Sequence, residues 1–239
     1  MSLLYIEDAY LKAASATVVA VTEQGVILDR TLFYPTGGGQ PSDTGTLSWN
    51  GASCTITDTR KDKTDAERVV LVLEEGGAWP EVGTEVTQTL DWERRHAHMR
   101  VHTALHLLSV VIPLGVTGGQ IGAEKGRLDF DMPEAPADKA ALEVELNALI
   151  TRDLSVTETW ITDAELDANP GLVKTMSVQP PKGAGKVRLV RIGTEAEQID
   201  LQPCGGTHVA RTAEIGRVRI GKIENKGRNN RRVNLHLEG

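Results

Sequence analysis

The pattern of apolar residues changes near residue 91, and this change divides the chain into two parts. From about residue 15 to residue 90, short β-like runs alternate with turn signals, of which Gln24-Gly25 and Asn50-Gly51 are the clearest. Several short strands without a long helical period indicate a small antiparallel β-barrel. We therefore predict an N-terminal barrel domain over residues 1–90 and a second domain over residues 91–239.

The second part combines helices with strands. Apolar residues occur at helical spacing in WERRHAHMRVHTALHLLSVVI until Pro113 interrupts them, and a second helix is predicted in ADKAALEVELNALITRDL. Strands are predicted in SVTETWI, KVRLVRIG, AEQIDLQ, GRVRIGKI and RRVNLHL. A short helix and a Pro/Gly-rich loop at QPPKGAGK are predicted after the first of these strands. The predicted fold class is therefore α+β, with a small N-terminal antiparallel β-barrel domain followed by an α+β domain.

Charge is distributed unevenly along the chain. The net charge of −7 argues against an indiscriminate nucleic-acid binder, yet residues 217–232 (RVRIGKIENKGRNNRR) carry seven basic residues and one acidic residue. A run of charges is often a solvated face, whereas a basic surface also suits contact with phosphate groups. The alternation of basic and apolar residues in RVRIGKI indicates a strand with one basic face. Both interpretations remain open.

The two cysteines, Cys54 and Cys204, lie 150 positions apart and do not form a disulfide framework. No run approaches the ~18 consecutive apolar residues that a membrane span requires. The N-terminus lacks a basic segment followed by an apolar stretch, so no secretory signal is expected. A cytoplasmic protein with no membrane association is the expectation.

Two pairs of potential metal ligands occur far apart in the sequence. Cys204 and His208 are four positions apart in QPCGGTHV, and the glycines between them are expected to let the backbone turn tightly. His102 and His106 are also four apart, which places both rings on one face of a helix with Cβ atoms roughly 6 Å apart. One thiolate with three imidazoles favours Zn²⁺ over Mg²⁺ or Ca²⁺. Four protein ligands are typical of structural zinc, so structural and catalytic roles both remain open.

A glycine-rich loop occurs between two predicted strands of the first part, in FYPTGGGQPSDTG. Gly37, Gly38 and Gly39 give a backbone without Cβ atoms, which can adopt positive φ or approach another molecule closely. The loop is interpreted either as a flexible connection or as a segment that meets a ligand or the second domain.

Several motifs occur in the same order as in a known family. HTALHLL, QIGAEKGRLDFDM and CGGTHVARTAEIG together resemble the editing domain of alanyl-tRNA synthetases and the free-standing AlaX-type alanyl-tRNA editing proteins. FYPTGGGQPSDTG is similar to the glycine-rich motif of the longer family members, and IENKGRNNRRV matches the C-terminal end. The resemblance covers nearly the whole chain, and because no ATP-binding synthetase core precedes these motifs, a stand-alone protein is expected.

The resemblance implies that the second domain is a zinc-containing editing domain that hydrolyses mischarged seryl- or glycyl-tRNA for alanine. It assigns zinc to His102, His106, Cys204 and His208. Thr103 keeps a hydroxyl beside the metal, Gln120 falls where the family has a pocket glutamine, and both are candidate catalytic residues. Leu105 stands where the synthetases often have threonine. Candidate contacts with tRNA are Gly37, Gly38, Gly39, Gln40, Arg228, Arg231 and Arg232.

Ester hydrolysis needs a nucleophilic water and stabilisation of the developing oxyanion, and zinc lowers the pKa of bound water to about 7. An alternative role for zinc is to position the substrate. Two other functions remain open: a non-catalytic, zinc-stabilised RNA-binding module and a metallohydrolase of small esters that does not need the basic strip. The sequence leaves the preference for serine or glycine and the oligomeric state undetermined.

Overall fold

The computed structural model describes residues 1–65, 67–176 and 185–238. These residues form two compact units, Met1–His96 and Ala97–Gly239, and the predicted α+β fold class is confirmed. The predicted domain boundary near residue 90 stays a prediction, because one helix runs through the point where the two units divide. No helix among the described residues is both long enough and apolar enough to cross a membrane.

The first unit contains a barrel, a short pair of parallel strands and one helical turn. Six strands close into an antiparallel barrel in the order β2-β3-β7-β6-β5-β8, which confirms the predicted barrel. The elements are β1 (Ser2–Leu3), α1 (Leu4–Glu7), β2 (Ala13–Thr22), β3 (Gly25–Leu28), β4 (Arg30–Thr31), β5 (Gly45–Trp49), β6 (Ala52–Lys61), β7 (Val69–Leu73) and β8 (Glu85–Leu90).

The turn between β5 and β6 forms as its sequence predicts. Asn50 and Gly51 have φ angles of 45° and 78°, and two positive values in a two-residue connection define a type I′ hairpin turn. This turn sets the register that pairs Leu47 with Cys54. Alternate residues of the strands then point inwards and form the barrel core, which includes Leu28, Leu47, Cys54, Ile56, Leu71 and Val86.

The glycine-rich loop is also a defined turn. Gly37 and Gln40 pair through two backbone hydrogen bonds of 3.1 and 2.9 Å. Gly38 and Gly39 between them have φ angles of 56° and 82°, which is again the type I′ conformation that glycine adopts without strain. The hydroxyl of Tyr34 donates to the carbonyl of Gly37 at 2.9 Å. The loop therefore has a specific conformation held by its own neighbours.

Helix α2 (Trp92–Val111) begins in the first unit and continues into the second. The second unit also has a four-stranded antiparallel sheet, β14-β15-β10-β9, and a three-stranded one, β11-β12-β13. Its other elements are β9 (Val116–Ile121), β10 (Lys125–Asp131), α3 (Lys139–Thr151), β11 (Val156–Thr162), α4 (Asp163–Ala168), a 3-10 helix at Pro170–Leu172, β12 (Lys186–Gly193), β13 (Gln198–Pro203), a second 3-10 helix at Thr212–Ile215, β14 (Val218–Gly227) and β15 (Asn230–Leu237).

The five predicted strands and the three predicted helices of this part are present, the short helix as α4. The hairpin β9-β10 is not predicted from the sequence, because VTGGQI places two glycines where strands favour β-branched or aromatic residues. The predicted loop at residues 179–186 lies mostly outside the described residues.

Helix α2 lies close against the four-stranded sheet. Its residues Met99, Leu105 and Leu108 are buried. A Cβ atom on Gly126 of β10 would come within 2.6 Å of Val101 Cγ1 and 3.0 Å of Leu105 Cδ1. Glycine at this position therefore allows the sheet to approach the helix that carries His102 and His106.

Candidate metal centre

Four side chains from two distant segments meet inside the second unit. They are His102 and His106, one turn apart on α2, Cys204, directly after β13, and His208 in the loop that follows. One potential ligand atom from each lies within 4.8 Å of all the others. We call these four residues the His/Cys cluster. The three imidazoles are buried, whereas Cys204 is partly exposed.

The spacing of the donor atoms fits a metal ion. Cys204 Sγ lies 3.4 Å from His102 Nε2 and 3.3 Å from His208 Nε2. A tetrahedral ion with Zn–N distances of 2.0–2.1 Å and a Zn–S distance of 2.3 Å separates nitrogen from sulfur by about 3.5 Å. The cluster could therefore hold a metal ion, and its three nitrogens and one sulfur match the donors that zinc prefers.

The hydroxyl of Thr103 determines which ring nitrogen of His208 is available. Thr103 Oγ1 donates its single proton to the carbonyl of Met99 at 2.9 Å. Its lone pairs must then accept from the backbone N–H of Val209 at 3.3 Å and from His208 Nδ1 at 3.2 Å. His208 consequently carries its proton on Nδ1 and directs the Nε2 lone pair at Cys204.

The second ligand histidine has a charged partner. His106 Nδ1 lies 3.0 Å from Oδ2 of Asp200 on β13. Burial alone lowers the pKa of His106, but the hydrogen bonds to Asp200 and Cys204 outweigh burial and raise this pKa to about 9. Burial likewise raises the pKa of Asp200, yet the hydrogen bond from His106 and the charges of His106 and Lys174 bring it down to about 2.

The cysteine is electrostatically prepared to lose its proton. Burial raises the pKa of the Cys204 thiol, but the charge of His102 and the hydrogen bonds from His102 and His106 outweigh burial, and the pKa falls well below its usual range. Burial and the charge of His102 lower the pKa of His208 well below its usual value. A thiolate and a neutral imidazole are the forms that bind metals, so the cluster favours two ligands in their metal-binding state.

Arg188 on β12 holds the loop that follows Cys204. Its Nη1 donates to the carbonyls of Cys204 and Gly206 at 2.9 and 2.8 Å, and its Nε donates to Glu158 at 2.8 Å. Neither Gly205 nor Gly206 has a positive φ, and a Cβ on Gly205 would meet no atom within 4 Å. The shape of this loop therefore depends on Arg188 rather than on a conformation reserved for glycine.

Sequence reasoning did not identify three polar residues around the cluster, namely Lys174, Arg188 and Asp200. A signal was present for Asp200 in IDLQP, because alternate residues of this strand, Asp200 and Gln202, are polar while the strand leads directly into the Cys204 motif. Both side chains are buried. Buried polar residues that alternate along a strand are expected to have partners, and here those partners lie beside His106.

Gln120 lies apart from the cluster. It is exposed on β9, it pairs in register with Arg127, and its Oε1 accepts from Arg127 Nε at 3.2 Å. Because Gly126 faces α2, the neighbouring Arg127 and its partner Gln120 project from the opposite face of the sheet. The structure does not bring Gln120 to the four donor atoms, and its catalytic role stays a prediction.

Two of the three candidate tRNA-contacting arginines have partners within the protein. Arg231 Nη1 donates to Asn225 Oδ1 at 3.0 Å and to the carbonyl of Gly227 at 2.8 Å, which braces the β14-β15 hairpin. Arg232 donates to Asp129 at 2.8 and 2.9 Å. Arg228 lies exposed at the turn. The roles of these arginines and of residues 37–40 in binding tRNA stay predictions.

Comparisons with known proteins match two synthetase families and several alanyl-tRNA editing proteins. Residues 187–234 match the family described as "Threonyl and Alanyl tRNA synthetase second additional domain", and residues 6–94 match "tRNA synthetases class II (A)". The chain is 37% identical to the alanyl-tRNA editing protein AlaX-M of Methanosarcina mazei over 98% of this chain and 95% of that protein. It is 38% identical to AlaX-M of Methanosarcina barkeri over 98% of both proteins.

A synthetase is also similar. Alanine–tRNA ligase of Pyrobaculum calidifontis is 37% identical over 92% of this chain, but the match covers only 25% of the ligase. The similarity to the ligase is thus confined to part of a larger protein, whereas the similarity to the editing proteins extends over nearly their whole length. The chain belongs to the AlaX family of alanyl-tRNA editing proteins.

Proposed function

We propose that this protein is a zinc-dependent deacylase that hydrolyses the ester bond of tRNA for alanine charged with serine or glycine. The observation that carries the proposal is the convergence of three imidazoles and one thiol, in a protein whose relatives are named alanyl-tRNA editing proteins. The hypothesis of a metallohydrolase of small esters has no such support from the relatives. Membership of the family makes tRNA the expected partner.

The residues of the chain prepare the site for the ion. Thr103 and Asp200 each hold one ligand histidine by Nδ1, and the low pKa of Cys204 supplies a thiolate. Zinc bound there would supply Lewis-acid chemistry, polarising an ester carbonyl and making a water molecule more acidic. Cys204 is the most exposed member of the cluster, so the substrate is expected to approach from its side.

Thr103 acts as a positioning residue in this proposal. Its hydroxyl is fully buried, and its one proton and both lone pairs already have partners. Thr103 therefore supports His208 and leaves the recognition of the serine hydroxyl to other groups. The catalytic role that the resemblance implies for Thr103 stays a prediction.

Binding of tRNA is proposed to involve the basic C-terminal hairpin. Arg228 and Lys222 are exposed there and could contact phosphate groups. Arg232 contributes less, because Asp129 already pairs with its guanidinium group. Binding is therefore expected to weaken with salt through a small number of phosphate contacts.

A second candidate function is a non-catalytic RNA-binding module that zinc only stabilises. The observation in its favour is the number of ligands, since four protein donors are typical of structural zinc sites. In such a module the ion would hold α2 to the loop that follows β13. The two candidates differ in whether removal of one ligand abolishes hydrolysis of a bound ester.

The test is hydrolysis of radiolabelled seryl-, glycyl- and alanyl-tRNA for alanine, with bound zinc quantified in the same samples. His102→Ala removes one ligand, and His96→Ala is the matched control, because His96 lies on the same helix and stacks on Trp92. The deacylase is expected to cleave the seryl or glycyl ester and spare the alanyl ester. His102→Ala should abolish this activity, whereas His96→Ala should retain it.

If wild type contains one zinc per chain and cleaves none of the three esters, the proposal fails and the structural module replaces it. Equal cleavage of the alanyl ester would instead contradict the editing role, because an editing enzyme must spare the correct product.

A further inference from the structure

A group of polar side chains lies around Nδ1 of His106. Asp200 is only 3% exposed. Its Oδ2 accepts from His106 Nδ1 at 3.0 Å and from Gln202 Nε2 at 2.7 Å, and its Oδ1 accepts from Lys174 Nζ at 2.6 Å. A buried carboxylate without partners is strongly unfavourable, so these three donors account for its presence in the interior.

We infer that Asp200 is a positioning residue of the metal site, which holds His106 with its proton on Nδ1 and leaves Nε2 as the ligand atom. The inference rests on the proposed function in that it requires a metal at the His/Cys cluster. A histidine that donates Nδ1–H to a carboxylate has a fixed ring orientation and is a more basic ligand. Asp200 therefore increases the affinity of the site for the ion.

Lys174 fixes the carboxylate in the orientation that this role requires. It binds one oxygen of Asp200, so the other oxygen faces His106. Lys174 Nζ also lies 3.3 Å from Ser109 Oγ, which donates to the backbone carbonyl of His106 at 2.7 Å. The contacts form a closed ring that starts at the His106 imidazole and returns to the His106 backbone. The same network of hydrogen bonds therefore fixes both the imidazole ring and the backbone carbonyl of His106.

The supports of the two ligand histidines differ in charge. His208 donates to the neutral hydroxyl of Thr103, whereas His106 donates to a carboxylate. A hydrogen bond to a charged acceptor is roughly twice as strong as one between neutral groups. Asp200 is therefore expected to contribute more to metal affinity than Thr103 does.

The test is the zinc affinity of purified wild type and variants, measured by competition with a chromophoric chelator. Asp200→Asn keeps the size of the side chain and removes its charge, and a 10–100-fold weaker affinity is expected. Asp129→Asn is the matched control. Asp129 also bridges two cationic side chains in the same unit, but it lies on the outer face of the sheet with Arg127 and Arg232. Its loss should leave zinc affinity unchanged.

A spectroscopic signature separates positioning from a general structural effect. In zinc-loaded wild type, ¹H–¹⁵N spectra of the imidazole groups should show His106 with a proton on Nδ1, shifted downfield by the carboxylate. In Asp200→Asn this resonance should move upfield while the other ligand histidines keep their shifts. An unchanged resonance in a folded variant, or an affinity equal to that of wild type, overturns the inference.

A second variant keeps the inference testable if Asp200→Asn does not fold. Lys174→Met retains the carboxylate and removes a lysine whose side chain is 26% exposed, so it is expected to fold. It should weaken zinc binding by less than Asp200→Asn, because only the orientation of Asp200 is lost. Unchanged affinity in Lys174→Met, when Asp200→Asn cannot be measured, would count against the inference.

These measurements use no tRNA, so their outcome is separate from that of the proposed function. Weakened zinc binding in Asp200→Asn together with a wild type that cleaves no ester would support Asp200 and refute the deacylase. Ester cleavage by wild type, together with unaltered zinc affinity in Asp200→Asn, would support the deacylase and refute the role of Asp200.

Discussion

Arg95 and Asp43 form an ion pair from which solvent is almost fully excluded, with side chains that are 1% and 0% exposed. Arg95 Nε lies 3.0 and 2.9 Å from the two carboxylate oxygens. The guanidinium group also donates to the carbonyls of Leu32 and Ala9, and Asp43 accepts from the backbone N–H of Tyr34. The pair therefore fixes the first turns of α2 to the segment around the glycine-rich loop within the first unit.

Removal of one member of this pair should be costly. Asp43→Ala leaves the Arg95 charge buried and unpaired, and the free energy of unfolding should fall by about 3–5 kcal/mol. Urea denaturation measures this change. Arg30→Ala is the control, because Arg30 and Asp29 form an exposed pair at 3.7 Å, for which a loss of less than about 1 kcal/mol is expected. Similar losses in both variants would contradict the importance of the buried pair.

Thr103→Val tests the support of His208. Valine has nearly the shape of threonine but leaves His208 Nδ1–H and the Val209 N–H without an acceptor, at a cost of about 1–3 kcal/mol in stability. Zinc affinity should weaken about 10-fold or more, as for other residues that hold a metal ligand. Thr117→Val removes a hydroxyl that donates to the Asp129 carbonyl and should leave zinc affinity intact. A zinc affinity unchanged by Thr103→Val would remove Thr103 from the site.

The low pKa of Asp200 predicts a dependence of stability on acid in the metal-free protein. The folded-state pKa of about 2 lies below the ordinary value of 3.8. Ionised Asp200 therefore contributes its full share to the free energy of unfolding above about pH 4. This contribution, about 2 kcal/mol in total, is lost as the pH falls towards 2. Urea unfolding of the metal-free protein between pH 2 and pH 5 should show a steeper loss for wild type than for Asp200→Asn. Parallel curves would contradict the prediction.

Gly126 and Gly205 should respond differently to replacement by alanine. A Cβ on Gly126 would collide with Val101 and Leu105 of α2, whereas one on Gly205 would meet open space. Gly126→Ala should therefore displace the helix, lower stability by about 1–3 kcal/mol and weaken zinc binding. Gly205→Ala should preserve the fold and the bound metal, although it lies beside Cys204. Thermal unfolding and zinc content measure both effects, and an unfolded Gly205→Ala would show that this glycine has another structural role.

Replacement of Arg228 and of Arg231 in the C-terminal hairpin should have different effects. Arg228→Ala is expected to weaken tRNA binding and to reduce the slope of log affinity against log salt by about 0.7–0.9, as for one lost phosphate contact. Arg231→Ala is expected to destabilise the hairpin instead, since its guanidinium group holds Asn225 and Gly227. Filter binding at several salt concentrations and urea unfolding distinguish the two. A salt slope unaffected by Arg228→Ala would remove Arg228 from the tRNA surface.

Features that depend on local sequence periodicity could be predicted. The barrel strands alternate apolar and polar residues and are separated by turn dipeptides such as Asn50-Gly51, and α2 has apolar residues at helical spacing up to Pro113. The grouping of His102 and His106 follows from a helix of 3.6 residues per turn. That Cys204 and His208 join them was a hypothesis based on donor chemistry, and the four donors do meet.

Features that depend on contacts between distant segments could not be predicted. Lys174 and Arg188 have ordinary sequence surroundings. Arg188 reaches the carbonyl of Cys204 because β12 pairs with β13, and Lys174 reaches Asp200 because the segment after the first 3-10 helix lies beside β13. The same limitation applies to Arg231 and Arg232. Their charge is visible in the sequence, but their partners Asn225 and Asp129 are determined by the register of β15 with β14 and β10.

The two halves of the His/Cys cluster are separated by a long stretch of chain, since His102 and Cys204 are 102 positions apart. A metal ion bound to both halves would act as a cross-link that closes a loop of this length, as a disulfide does. In the chain-entropy model, closing a loop of ~100 residues removes about 4–5 kcal/mol of conformational entropy from the unfolded state. Folding and metal supply would then be coupled, and a cell short of the ion would hold a less stable protein.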